Sequence, residues 1–151
     1  MSETYNTWSV LASKLPLVAK FLIIVFMKNS YPLFVVSDIT ESSKFFVEKF
    51  DYEAVFQSDW YIQLAHQDQQ LGLMIKGSAN QPKFLHQEFA GRGAVLTIEV
   101  EDVDKVYKTF AEEEIIYSLV TEEWGQRHFI VKAPGNIVVD VVNYTEPEDY
   151  S

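Results

Sequence analysis

Apolar positions along the chain fall into two rounds of one alternation. Leu33-Phe34-Val35-Val36 is a short apolar run rich in β formers, closed by Ser37-Asp38. Asp38 then predicts a helix N-cap, with Glu41 three residues on as its capping-box partner. Phe45, Phe46 and Phe50 recur at helical spacing and predict a core-facing stripe that runs to about Phe50. The second round repeats the scheme: Val95–Val100 as strand, Asp102 as cap, then Val103, Val106, Tyr107 and Phe110 as the buried stripe. Extended segments follow each helix, at about 52–57, 60–66 and 70–75, and again at 116–121, 127–132 and 136–143. The predicted order is βαβββ, twice. This is an α+β architecture of curved mixed sheets around a cleft, with a helix outside each sheet.

An offset of 64 residues exposes the repeat at the level of identity. It pairs Val36 with Val100, Asp38 with Asp102, Lys44 with Lys108, Phe46 with Phe110, Glu48 with Glu112 and Trp60 with Trp124. Any one pair is noise; together they match a strand end, a cap, a helix core position and a strand start. The halves are expected at about 30–76 and 94–144, within one domain of residues 27–151. The Gly-, Ser-, Asn- and Pro-containing stretch 76–93 joins them. Gly135-Asn136 marks a hairpin turn in half two.

Residues 1–26 do not fit the pattern. Their run Phe21-Leu22-Ile23-Ile24-Val25-Phe26 is cut off by Lys14, Pro16 and Lys20 before reaching the roughly 20 apolar residues that a membrane-spanning helix needs. No basic start or small-residue cleavage site marks a secretory signal. Met27 begins a sequence that would serve as a natural N-terminus. The expectation is an appendage, either translated from an upstream start or acting as an arm on a neighbouring subunit.

Composition narrows the function classes. The 151 residues carry 12 basic and 22 acidic side chains, a formal charge of −10, and no cysteine. That balance repels nucleic acid and anionic membranes, and permits a cationic partner. Without cysteine there is no disulfide framework, thiolate nucleophile or Cys-ligated metal, which fits a cytoplasmic protein. No P-loop, dinucleotide fingerprint or G-x-S-x-G motif is present.

The duplicated order, together with the strings Tyr31-Pro-Leu-Phe-Val-Val-Ser-Asp38, Trp124-Gly-Gln-Arg-His-Phe129 and Ala133-Pro-Gly-Asn-Ile-Val-Val-Asp140, resembles the vicinal oxygen chelate superfamily. This group holds glyoxalases, bleomycin-resistance proteins and extradiol dioxygenases. In its metal-dependent members, the resemblance implies, the first and last strands of each half supply a His or Gln, a Glu, a His and a Glu. Carried over by position, these fall on Tyr31, at or next to Gly72, on Val95 and on Asp140. Only Asp140 retains a ligand-competent group, whereas divalent catalytic metals usually take three or more protein ligands. The resemblance therefore implies a metal-free member comparable to the bleomycin-resistance branch, without catalytic or metal-ligating residues and without a cofactor. A divalent metal, and with it a lyase, isomerase or dioxygenase, is the alternative. It requires His66 or His128 and a glutamate to reach Asp140.

The expected ligand-binding residues are Tyr31, Trp60, Thr97, Glu99, Trp124, Gln126, His128 and Asp140. His128 alternates with Phe129, so a core-facing Phe129 turns His128, Gln126 and Ile130 to the cleft, where an imidazole titrates near neutral pH. A partly exposed strand histidine without a role is the plainer reading. Thr97 and Glu99 share a face with Val95, and Glu99 with Asp140 would hold a cation, act as a base, or be satisfied by Arg127, Lys132 or water. Trp60 and Trp124 either wall an aromatic or cationic ligand or cover the sheet ends. Arg127 either binds a ligand carboxylate or pairs with Glu122 or Glu123. Glu112-Glu113-Glu114 and Glu146–Asp149 read as solvated surface. The expected function is sequestration of a small organic ligand, cationic or aromatic, by a homodimer.

Overall fold

A computed structural model describes residues 27–77 and 80–144. The expected appendage 1–26 and the acidic run Glu146–Asp149 lie outside the described residues. By internal contacts the chain divides into two units, 1–30 and 31–151. Of the first, residues 27–30 are exposed and have no regular secondary structure; all that follows concerns the second.

The duplicated order is present. Half one comprises β1 (Leu33–Val36), α1 (Ile39–Phe50), β2 (Glu53–Gln57), β3 (Tyr61–His66) and β4 (Gln69–Ile75). Half two comprises β5 (Leu96–Glu99), α2 (Val103–Tyr107), β6 (Ile115–Thr121), β7 (Gln126–Ala133) and β8 (Ile137–Tyr144). Each half builds one four-stranded mixed sheet, in the orders β1-β4-β3-β2 and β5-β8-β7-β6. The first strand of each half runs parallel to the last, and the other pairs are antiparallel. A parallel pair needs a crossover, which the helix and the two middle strands supply.

Both N-caps form as the sequence predicts, but Glu41 takes part through its amide and not through the carboxylate that a capping box would use. The Asp38 carboxylate accepts from the Thr40 and Glu41 amides, and that of Asp102 from the Lys105 amide, satisfying donors that a helix start leaves open. The second helix is shorter than its apolar stripe. It stops at Tyr107, because the Thr109 hydroxyl donates to the Val106 carbonyl at 2.7 Å and competes for helix hydrogen bonding. A short 3-10 turn at Glu112–Glu114 follows, fixed by the Glu114 carboxylate accepting from the Ala111 amide. Phe110 still enters the core, tilted against Phe45 and Phe50 and edge-on to Phe129, because apolar burial does not require helical backbone.

One hydrophobic core joins the halves. Phe46, Leu64 and Leu73 of half one are in the same cluster as Phe129, Val131, Val139 and Val141 of half two, all fully buried. These residues alternate along each strand with those of an opposite, open face, where Leu33, Phe56 and Tyr117 are exposed. The open face is not uniformly bare, since Val35, Met74 and Val142 share its parity and are buried.

Register shows that the repeat does not keep one offset. Leu33 lies opposite Gly72, and Thr97 opposite Asp140; Gln63 then lies opposite Gly72, and Ile130 opposite Asp140. The offset is thus 97 − 33 = 64 at the first strand, 130 − 63 = 67 at the third and 140 − 72 = 68 at the last. The final step comes from the hairpin: Gln67-Asp68 joins β3 to β4, whereas Pro134-Gly135-Asn136 joins β7 to β8. Consequently His128 corresponds to Tyr61, and Trp60 to Arg127 rather than to Trp124. The identity-level pairing of the two tryptophans is coincidental.

Candidate functional site

β7 places Gln126, His128 and Ile130 on the open face because Phe129 and Val131 fill the core between them. On β8, Val139 and Val141 are buried in the core, which turns Asp140 outward beside them. The His128 ring meets a carboxylate at each nitrogen: Asp140 Oδ1 lies 2.7 Å from Nδ1 and Glu122 Oε1 lies 3.3 Å from Nε2. The chain of contacts extends both ways. Trp124 Nε1 donates to Gln126 Oε1 at 2.9 Å, and Gln126 Nε2 donates to Asp140 Oδ2 at 3.2 Å. At the other end the Tyr117 hydroxyl donates to Glu122 at 3.3 Å, and its ring packs obliquely against His128.

The electrostatics follow from that geometry. Burial of the His128 ring pulls its pKa down, but hydrogen bonds to Asp140 and Glu122, and their charges, outweigh it, so the pKa is raised. A protonated imidazole donates from both nitrogens, which suits two carboxylate acceptors. The Glu122 charge, then its hydrogen bond, raises the Tyr117 hydroxyl as well. With the imidazolium between two carboxylates the cluster keeps a net negative charge.

The matching surface of half one is built from other chemistry. Tyr61 stands where His128 stands in half two; its hydroxyl donates to Gln63 Oε1 at 2.7 Å, and the Gln63 and Gln70 amides bond each other. Burial, followed by hydrogen bonding with Tyr31, pushes the Tyr61 pKa up to about 12. Trp60 and Phe56 flank the Tyr61 ring at centroid distances of 5.7 and 6.1 Å. Gly72 stands where Asp140 stands, and a Cβ there would lie 2.9 Å from Leu33 Cδ1 and 3.0 Å from the Tyr61 hydroxyl.

Of the expected residues, the structure brings Trp124, Gln126, His128 and Asp140 into one network, and sets Tyr31 and Trp60 around Tyr61 on the other sheet. Thr97 lies opposite Asp140 on β5 and is exposed. Glu99 lies two residues further, opposite Val142. Of the alternatives for Glu99 and Asp140, satisfaction of Asp140 by Arg127 or Lys132 is not what forms: its carboxylate is bonded by His128 and Gln126. Arg127 is likewise neither a cleft residue nor a partner of Glu122. It points to the helix side, its Nε and Nη2 grip Asp104 of α2 at 2.8 and 2.6 Å, and its Nη1 donates to Thr121. Strand alternation from Phe129 carries that placement. Glu122 and Tyr117 were not singled out as site residues. Glu122 follows β6 and reaches His128 through a turn that hydropathy does not register.

The family's metal positions can be tested against these side chains. Tyr31 and Val95 precede their strands, Gly72 has neither donor nor space for one, and Asp140 is engaged by His128. Among the described residues no three His, Asp or Glu side chains are arranged to hold a metal ion. His66 hydrogen-bonds the Asp51 carbonyl, and His86 the Gln81 carbonyl. The donor set does not fit the family's divalent ion.

Two mixed sheets of βαβββ order with an open polar and aromatic face define a glyoxalase-type protein. A family profile described as Glyoxalase/Bleomycin resistance protein/Dioxygenase superfamily matches residues 28–141, and the chain belongs to that superfamily. Solved structures share the fold. A glyoxalase/bleomycin resistance protein/dioxygenase from Nocardioides is 14% identical, with a TM-score of 0.69, over 89% of this chain and 95% of its own. A family enzyme from Burkholderia phytofirmans PsJN is 19% identical, with a TM-score of 0.67, over 77% of this chain and 98% of its own. A protein of unknown function from Agrobacterium tumefaciens str. C58 is 20% identical, with a TM-score of 0.65, over 82% of this chain and 99% of its own. No curated protein matches the chain. No helix among the described residues is long and apolar enough to cross a membrane.

Proposed function

We propose that the chain is a metal-free, small-molecule binding protein of the bleomycin-resistance type, acting by sequestration in the cytoplasm. The observation that carries this reading is the engagement of Asp140 by His128 and Gln126 while its counterpart Gly72 is crowded by Leu33 and Tyr61. What remains for recognition is a negatively charged network on one sheet and an aromatic surface on the other. That combination suits a flat organic cation, held by Coulomb attraction to Asp140, Glu122 and Glu99 and by contact with Phe56 and Trp124. A homodimer is part of the reading: Leu33, Phe56 and Tyr117 leave large apolar side chains exposed on the open face, which a second copy would cover.

Thermal-shift titration with basic glycopeptides and flat aromatic cations, against neutral aromatic controls, tests the reading. A ligand at 100 times its dissociation constant adds about 2.7 kcal/mol of stability. Affinity should fall with added salt and on Asp140→Asn or Glu99→Gln; salt-independent binding removes the electrostatic element. Sedimentation equilibrium checks the dimer.

The proximity of His128, Glu122 and Asp140 favours a second reading, a metal-dependent lyase, isomerase or dioxygenase in which these three side chains rearrange around an ion. Metal analysis after mild purification separates the two. A stoichiometric divalent ion whose removal abolishes an activity would overturn sequestration.

A further inference from the structure

A concavity lined by none of the Asp140–His128 network residues lies at the seam where α1 meets the turn between β7 and β8. It is a shallow depression open to solvent, with a volume of about 350 Å³, at the small end of the roughly 300–1,000 Å³ common for small-molecule sites. α1 contributes Glu41 and Phe45, the end of β7 contributes Lys132, the β7–β8 connection contributes Pro134 and Asn136, and the turn ahead of β6 contributes Glu114.

The charges around this cavity are unevenly used. Glu114 is committed, since its carboxylate receives Lys49 Nζ at 3.2 Å and the Ala111 amide at 2.9 Å. Glu41 and Lys132 are not paired with each other, and neither has an ion-pair partner among the described residues. The depression thus presents an uncommitted carboxylate from one half and an uncommitted ammonium from the other, with Phe45 and Pro134 among its lining. A simple anion would meet Lys132 but also Glu41 and Glu114. A simple cation would meet the reverse. A small molecule bearing both charges satisfies both walls at once.

We propose that this cavity binds a free α-amino acid with an aliphatic side chain. The ligand carboxylate pairs with the Lys132 ammonium, its ammonium pairs with Glu41, and its side chain lies on Phe45 and Pro134. Charge-assisted hydrogen bonds at both ends select the zwitterion over either half of it. Because the cavity is built from both halves, occupancy ties α1 to the β7–β8 turn.

Isothermal titration calorimetry of the full chain with L-leucine tests this. Leucinamide, which lacks the carboxylate, and 4-methylpentanoate, which lacks the ammonium, are the controls. Binding is expected for leucine, and each control should bind at least about tenfold more weakly. Lys132→Met and Glu41→Gln should each weaken leucine by a similar factor. Both positions are exposed, so unchanged melting curves will show that the variants fold. Asp140→Asn should leave leucine binding unchanged, which separates this site from the open face. No heat with leucine up to its solubility would overturn the proposal. So would equal binding of either control, insensitivity to Lys132→Met and Glu41→Gln, or loss of binding on Asp140→Asn.

Discussion

The two halves share one topology and one core, yet their open faces have diverged into opposite chemistries. In half one the positions on β3 and β4 carry Tyr61, Gln63 and Gly72, a neutral surface bordered by Trp60 and Phe56. In half two the matching positions carry His128, Ile130 and Asp140, with Glu122 closing a charged network. A repeat fold fixes where side chains project; it does not fix what they do there. Packing constrains the core face of each strand, so Leu64, Leu73, Phe129 and Val139 stay apolar, while the other face is free to change.

The sharpest contrast lies in the hairpins. Gly135 has φ 79°, and a Cβ there would lie 2.9 Å from the Val36 Cβ, across the seam between halves. Gly135→Ala combines left-handed strain with overpacking and should cost about 2–5 kcal/mol, read as a lowered denaturant midpoint. The half-one turn has Gln67 at φ 51°. There Gln67→Gly should be neutral or slightly stabilising, because glycine relieves the same strain.

Exchanging the open-face chemistry comes next in size. Gly72→Asp should destabilise by about 1–3 kcal/mol, because Leu33 and Tyr61 occupy the space its side chain needs. Asp140→Asn removes the closer of the two carboxylates on His128 and should cost about 1–3 kcal/mol near pH 6. If Gly72→Asp were accommodated at no cost, the two faces would be interchangeable and the contrast between them would fail.

The pH dependence of folding isolates the half-two network. The folded pKa of His128 is raised, so its contribution is fully present below the ordinary imidazole value of about 6.5 and is lost as pH rises through the raised folded value. Stability should therefore fall over that interval in the parent chain. His128→Gln should flatten this part of the profile, whereas Tyr61→Phe, at the corresponding half-one position, should leave it intact. Denaturant melts at a series of pH values supply the comparison.

The smallest effect is expected on α1. Ser42 is fully buried and its hydroxyl has no hydrogen-bond partner among the described residues. Ser42→Ala should change stability by less than about 0.5 kcal/mol, or raise it slightly, since no bond is broken and a stranded polar atom is removed. A loss above 1 kcal/mol would mean that the hydroxyl is bonded through water.

Much of this molecule was legible in the chain. Local rules determine both caps, because Asp38 and Asp102 bond amides two or three residues away. Strand alternation around Phe129 determines that His128 and Gln126 leave the core, and β8 turns Asp140 out by the same rule. The limits of the second helix were not legible from its apolar stripe, because Thr109 ends it through a side-chain bond that periodicity does not encode. Partner choice was less legible still. Sequence proximity offers Arg127 a ligand carboxylate, Glu122 or Glu123, whereas the fold turns it to Asp104 on a helix, 23 residues away. The sequence by itself determined which side chains leave the core, because burial and period-two geometry act along one strand. Only the tertiary structure decided which of them meet. Hairpin length shifts register by whole residues, and that shift put His128 between Asp140 and Glu122, with Tyr61 beside a glycine in the other half.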